Sequence, residues 1–433
     1  LLPHPVACLI TGITPQQARR KGVPETEFAR AILDEMAVPE TCSAGYNSIR
    51  FDDVVTRNLL YRNLRDPYER EYRNGNSRWD LIDLARMCYA LRPEGIEWPM
   101  HEAGKPSFRL EDLSAANHIE HSGAHDALAD VRATIGLARR LKIEQPKLFR
   151  WALTMRDQKH VARLLDTVEP APLLHSSSRI AAVRGCTTMV LPLAVLPDRP
   201  KSVIAFDLDA DPSPLIREPA DVIEDLVFTP AEDLPKEIER LPLKVIHGNH
   251  VPMLAPLGTL KGVDTERIGM DPERCKRHAR QLLAALDEVR PKVIEVFSSE
   301  NRAFEESSDP DRMLYSGDFF SRADRHLMNK ILQVPPERLN EHLWSFQDTR
   351  LPLMLFSYRA RNYPDSLTAD EALVWKRDRK ARLVDSSGPD YFTLKAFDAV
   401  IIGLREERSG EPESMQILDK LEAWVLETGL RDL

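Results

Sequence analysis

His125-Asp126-Ala127-Leu128-Ala129-Asp130 is the stretch on which the reading of this chain turns. It follows Ser122-Gly123-Ala124, small residues that let a backbone approach something closely. Leu128, Val131, Ile135, Ala138 and Leu141 then recur at steps of three or four, the pattern of a helix with one apolar face. That helix carries a histidine at its first turn and a carboxylate about one turn further in. A proton acceptor beside a metal-binding carboxylate is the equipment for activating a water. The competing reading is a surface histidine before an acidic first turn that simply suits the helix dipole.

Upstream, a brief strand near Thr41–Ala44 runs into the turn residues Gly45-Tyr46-Asn47 and then into Phe51-Asp52-Asp53. Phe51, Val55 and Leu59 share a helical face, so Asp52 falls in the first turn of a helix that follows a strand. That end of the strands is where ligands bind in α/β sheets. Helix capping by Asp52 and Asp53 is the alternative. From Arg57 to Arg109 the sequence is rich in arginine, and Arg57, Arg62, Arg65, Arg70, Arg73, Arg78 and Arg86 surround Tyr68 and Tyr72. Cations interleaved with stacking platforms hold single-stranded nucleic acid without reading its sequence. Asp66, Glu69 and Glu71 are interleaved too, so a solvated helical surface competes. Trp79–Leu84 reads as a buried strand entering a helix through Leu91, and Phe108–Leu113 opens a short helix before His125.

At the start, Val6–Thr14 is a short apolar segment ending in a turn, and Pro15–Met36 reads as one helix with Phe28, Ile32 and Met36 stacked. Beyond Leu141, Gln145-Pro146 begins a connection and a further helix through Leu165. Pro170, Pro172 and Ser176–Ser178 read as loop. MVLPLAVL (189–196), SVIAFDL (202–208) and LKVIHG (243–248) are β-branched runs of a mostly β domain with peripheral helices. From Ser298 the pattern is helical, clearest over Arg322–Gln333 and Gln416–Thr428.

At 433 residues the chain is too long for one core. Its 42% hydrophobic and 29% charged content is ordinary for a globular protein. No apolar run approaches the roughly eighteen residues of a membrane helix. Cys8, Cys42, Cys88, Cys186 and Cys275 are odd in number and scattered without a CxxC pair, which points to a reducing cytoplasm. The net charge of −9 leaves any DNA contact to a local basic surface.

Asn47-x-x-x-Phe51-Asp52 followed by His125-x-x-x-x-Asp130 resembles the second and third motifs of the DEDDh 3′→5′ exonucleases. Within that superfamily, four stretches are similar to the bacterial exonuclease I family, which degrades single-stranded DNA from its 3′ end. They are GYNSIRFDDVVTRN (45–58), NSRWDLIDLARMCYALRPEGIEWP (76–99), PSFRLEDL (106–113) and AHDALADVRATI (124–135). The likeness continues through LYSGDFFSRADR (314–325) and LFSYRARNYP (355–364), so it covers most of the chain. It implies an α/β fold in three parts. An RNase H-like exonuclease domain, a mixed sheet with flanking helices, spans 1–145. An SH3-like β-rich domain spans 146–299, and a helical C-terminal domain spans 300–433.

The resemblance also implies roles. Asp130 ligates a metal directly and Asp52 joins the carboxylate set. His125 takes the proton from the attacking water. Arg109 contacts a phosphate, while Arg57, Tyr68, Tyr72 and Arg86 line the path of the strand. Two Mg²⁺ ions, about 4 Å apart in such sites, are the expected cofactors, and 5′-mononucleotides the products. Single-stranded DNA and the single-stranded DNA-binding protein are the expected partners of a cytoplasmic monomer acting in DNA repair. The family's first motif, an Asp-x-Glu pair on a strand before the region like VACLITGITP (6–15), has no counterpart after Leu1-Leu2-Pro3-His4-Pro5. The chain is therefore expected to be an N-terminally incomplete member with at most trace Mg²⁺-dependent activity. Two other readings stand beside this one: a module that binds single strands without cutting them, and an RNA-directed DEDDh exonuclease. The long additional domains speak against the second.

Overall fold

The computed structural model describes residues 2–101, 104–120, 127–235, 239–298, 307, 309–386 and 391–432. The chain divides into two units, one of residues 42–52 and 77–303, the other of residues 1–41, 53–76 and 304–433. This division cuts across the three segments read from the sequence, because 1–41 and 53–76 group with the C-terminal part.

In the unit of residues 42–52 and 77–303, Cys42–Gly45 (β1) and Ser77–Asp80 (β2) pair in parallel, with Gly45 opposite Asp80. β2 runs directly into the helix Leu81–Leu91, whose first turn is capped by the Asp80 side chain. That helix buries Leu81, Leu84, Met87, Cys88 and Leu91 in the unit's core. Five further strands form an antiparallel sheet in the order β6-β5-β4-β3-β7: Leu173–Ser176 (β3), Thr187–Leu196 (β4), Arg199–Asp207 (β5), Leu243–His247 (β6) and Met253–Pro256 (β7). β3 corrects the loop expected over Pro170–Ser178. Its four residues are all buried, and it is held on both edges, with Leu174 opposite Met189 and Ala255. Pro192 sits inside β4 where the pairing register shifts, the place a sheet tolerates a residue without an N–H. The single helix expected through Leu165 is two, Pro146–Thr154 and Gln158–Leu164, the second capped by Asp157.

The helix Ala127–Glu144 forms where the periodicity placed it, but its buried face is different. Ala129, Ala133, Leu137 and Leu141 pack inward, while Leu128, Val131 and Ile135 stay 52%, 53% and 45% exposed. Alanines on the packed side let the backbone come close. At Gly136 on the same helix an added Cβ would lie 2.5 Å from Cγ2 of Ile119.

In the other unit, the helix expected over Pro15–Met36 is broken into Pro15–Lys21 and Glu25–Met36. Gly22 ends the first, and Pro24 bars Val23 from the helical conformation. Thr26 and Ala29 are the buried face of Glu25–Met36, leaving Phe28 exposed. Glu25 accepts both ends of the Arg62 guanidinium, and Asn362 donates to Asn63 at 3.0 Å. These bonds fasten the helices Glu25–Met36, Asp52–Arg62 and Arg350–Asn362 around a core that includes Tyr61, Leu64, Leu351 and Tyr358. The clearest C-terminal helices expected from sequence appear as Arg322–Ile331 and Pro412–Glu427. No helix among the described residues is long and apolar enough to cross a membrane.

Candidate nucleic-acid interface

The turn after β1 is built by a carboxylate and a missing side chain. Oδ1 of Asp80 accepts the backbone N–H of Asn47 at 2.7 Å and that of Ile82 at 3.1 Å, and Oδ2 accepts that of Ile49 at 3.2 Å. Gly45 is required because a Cβ there would lie 2.5 Å from Cβ of Ser48. Asn47 itself is left-handed at φ 60°, a conformation asparagine tolerates better than most residues. Burial pushes the Asp80 carboxyl up to about 6, against the three amides, which favour its charged form. Asp52 opens the next helix, exposed at its first position, as read from sequence.

Asn47 and Tyr46 face a cavity of about 810 Å³. Its other walls are Ile82 and Arg86 of the helix Leu81–Leu91, the segment Ser107–Glu111, and Ser178–Ala182 after β3. The Tyr46 hydroxyl donates to the carbonyl of Phe108 at 2.7 Å, and burial pushes its pKa up. Arg86 is only 8% exposed, pairs with Asp83 at 2.5 Å and lies 5.8 Å from the Phe108 ring centroid. Its Nε has no hydrogen-bond partner among the described residues, so one donor of a buried cation at the cavity wall is unused. Arg109 is exposed, and its guanidinium makes a surface pair with Glu111 at 2.7 Å. A solvated pair of that kind is worth little and yields readily to a phosphate. Arg50 reaches Ser178 at 2.9 Å and Asp83 at 3.4 Å, and exposed Arg179 adds charge to the rim.

Three expected strand-path residues lie in the other unit. Arg57 is buried, and Glu71 takes its guanidinium at 2.7 and 2.9 Å. It stacks 5.3 Å from the Tyr68 ring centroid, whose edge meets Phe319 at 6.1 Å. Arg57 therefore holds Tyr68 in place and does not present an open cation. Tyr72 is 60% exposed and Phe319 85% exposed, and Tyr315 hydrogen-bonds Arg57. Tyr315 and Phe319 were not read as site residues, although two aromatics flanking Ser316-Gly317-Asp318 in a polar stretch were the available signal. Ser178–Ala182 was missed as well. Nearby Arg184 adds no open cation to that wall, since it pairs with Asp207 and Asp209 and donates to Thr188.

Asp130 is half-buried in the first turn of Ala127–Glu144, and His125 and Asp126 lie outside the described residues. No three His, Cys, Asp or Glu side chains gather to hold a metal among the described residues.

Family models match the chain in succession: the exonuclease family over 3–138, the exonuclease I SH3-like domain over 156–299 and the exonuclease I C-terminal domain over 308–428. Exodeoxyribonuclease I of Haemophilus influenzae is 42% identical over 421 residues, which is 97% of this chain and 87% of that one. The chain belongs to the exonuclease I family. Escherichia coli exonuclease I in complex with a dA16 oligonucleotide has a TM-score of 0.93 at 41% identity, covering 99% of this chain and 89% of that one. An exonuclease I–SSB-Ct complex has a TM-score of 0.89 at 40% identity, covering 99% and 88%.

Proposed function

We propose that this chain hydrolyses single-stranded DNA from its 3′ end to 5′-mononucleotides, with the strand running through the cavity walled by Asn47, Arg86 and Arg109. The observation that carries this reading is the wall itself. One buried cation has an unused donor, one exposed cation is weakly held, and both face a volume that admits a nucleotide. A relative of the same family is bound to a dA16 oligonucleotide.

Asp52 and Asp130 are hard oxygen donors, which suits Mg²⁺ and not a thiophilic metal. They would hold the metal, although among the described residues no group of three His, Cys, Asp or Glu side chains gathers to complete a site. Bound there, divalent metal supplies polarisation of the scissile phosphate and lowers the pKa of water. His125 would accept the proton of the attacking water, the role a positioned imidazole suits. Arg109 and Arg86 orient the phosphate, and Tyr68 and Tyr72 stack bases.

The single-stranded DNA-binding protein is the protein partner that accords with this reading, since a relative is complexed with SSB-Ct. Five free thiols fit a reducing cytoplasm, and degradation of single strands fits DNA repair.

The test is a 5′-labelled single-stranded oligonucleotide incubated with Mg²⁺ and either this chain or the chain extended upstream through an Asp-x-Glu strand. A 3′-shortened ladder with released 5′-mononucleotides supports the reading. Shortening from the 5′ end, equal cutting of RNA, or no cutting by either form overturns it.

A further inference from the structure

We propose that Asp80 is a positioning residue whose carboxylate ties the turn after β1 to the helix Leu81–Leu91, and so sets the Asn47 wall of the strand cavity. This rests on the reading of that cavity as the path of single-stranded DNA. As a helix cap, Asp80 needs only the Ile82 amide. Its bonds to Asn47 at 2.7 Å and Ile49 at 3.2 Å go to a different segment, some thirty residues earlier in the chain, and contribute nothing to that cap.

The pairing register explains why this residue can do both. Asp80 lies directly across from Gly45, the last residue of β1, so its side chain reaches the turn that begins at the next residue. The turn demands such a restraint. Asn47 is held at φ 60°, and Gly45 lets Ser48 close within a Cβ's reach. A residue in that region persists where its surroundings over-determine it, and the shorter of the two bonds falls on Asn47 itself. Both segments that the carboxylate joins reach the cavity, Asn47 from the turn and Ile82 with Arg86 from the helix. One half-buried carboxylate thus fixes the spacing between two walls, and Asp52 begins its helix five residues after Asn47.

Asp80→Ser separates the two roles. Serine caps a helix as well as aspartate does, but it has one acceptor atom on a shorter arm. In hydrogen–deuterium exchange, the amides of Leu81–Leu91 should stay protected while those of Asn47 and Ile49 exchange about tenfold faster or more. The affinity of a short single-stranded oligonucleotide, measured without metal, should fall about tenfold. Asp80→Asn keeps the size and one acceptor oxygen, and should fall between wild type and the serine variant. Protected Asn47 and Ile49 amides in Asp80→Ser, or unchanged oligonucleotide affinity in both variants, overturns the proposal. A global loss of helix protection in both variants overturns it also, because Asp80 would then serve the fold alone. Affinity is read without hydrolysis, so failure of the wild type to cut DNA would count against the exonuclease reading only.

Discussion

The Tyr46 hydroxyl donates to the Phe108 carbonyl at 2.7 Å, and that bond joins the turn carrying Asn47 to the segment carrying Arg109. Phe108 is itself packed edge-on against Tyr89 and Trp98, at 5.7 and 6.3 Å, so the bond anchors the turn to a fixed point. Tyr46→Phe keeps the ring and removes only this donor. It should cost about 0.5–1.5 kcal/mol of stability, measured by urea unfolding. A variant as stable as wild type would mean that the Phe108 carbonyl finds another partner.

The aromatic group divides by exposure. Tyr72 is open to solvent, whereas Tyr68 is wedged between Arg57 and Phe319. Tyr72→Ala should therefore weaken oligonucleotide binding by roughly 1–3 kcal/mol with an unchanged melting temperature. Tyr68→Ala should lower both affinity and melting temperature. If Tyr72→Ala binds like wild type, the strand does not stack there.

Acid should unfold the protein in part through one histidine. His175 on β3 is buried, donates from Nδ1 to the Met253 carbonyl at 3.2 Å, and is pushed down to about 3 from an ordinary 6.5, chiefly by burial. The unfolded chain binds this proton first, so the stability is fully present above about pH 6.5 and is lost as pH falls toward 3. His175→Leu should reduce that acid loss by a few kcal/mol. Unfolding free energies across this pH range check it. Parallel curves for the variant and wild type would contradict it.

Local chemistry was legible in the sequence; choice of partner was not. Gly45-Tyr46-Asn47 was read as a turn and Asp52 as a first-turn residue because a small residue, a left-handed asparagine and a change of period all lie within a few positions. The helix Ala127–Glu144 was read correctly and its face was not, because periodicity weights bulky Leu128, Val131 and Ile135 over the alanines that pack. β3 was hidden between prolines and serines, since its stability comes from β4 and β7 on either edge. For the same reason Tyr72 could be proposed from composition and Arg109 from the family resemblance, whereas nothing in the sequence marked the wall at Ser178–Ala182. Arg57 looked like an open cation until Glu71 was seen to hold it.

The cavity carries the strand in this reading, and Arg109 is an exposed cation on its wall. The decisive measurement is fluorescence anisotropy of a labelled single-stranded oligonucleotide across a salt series, without metal, for wild type and Arg109→Ala. The account predicts that affinity falls with salt for both, and that the slope of log affinity is shallower by about 0.7 in the variant, the loss of one phosphate contact. Equal affinity and equal slope for the two proteins would contradict it, and would place the strand away from this cavity.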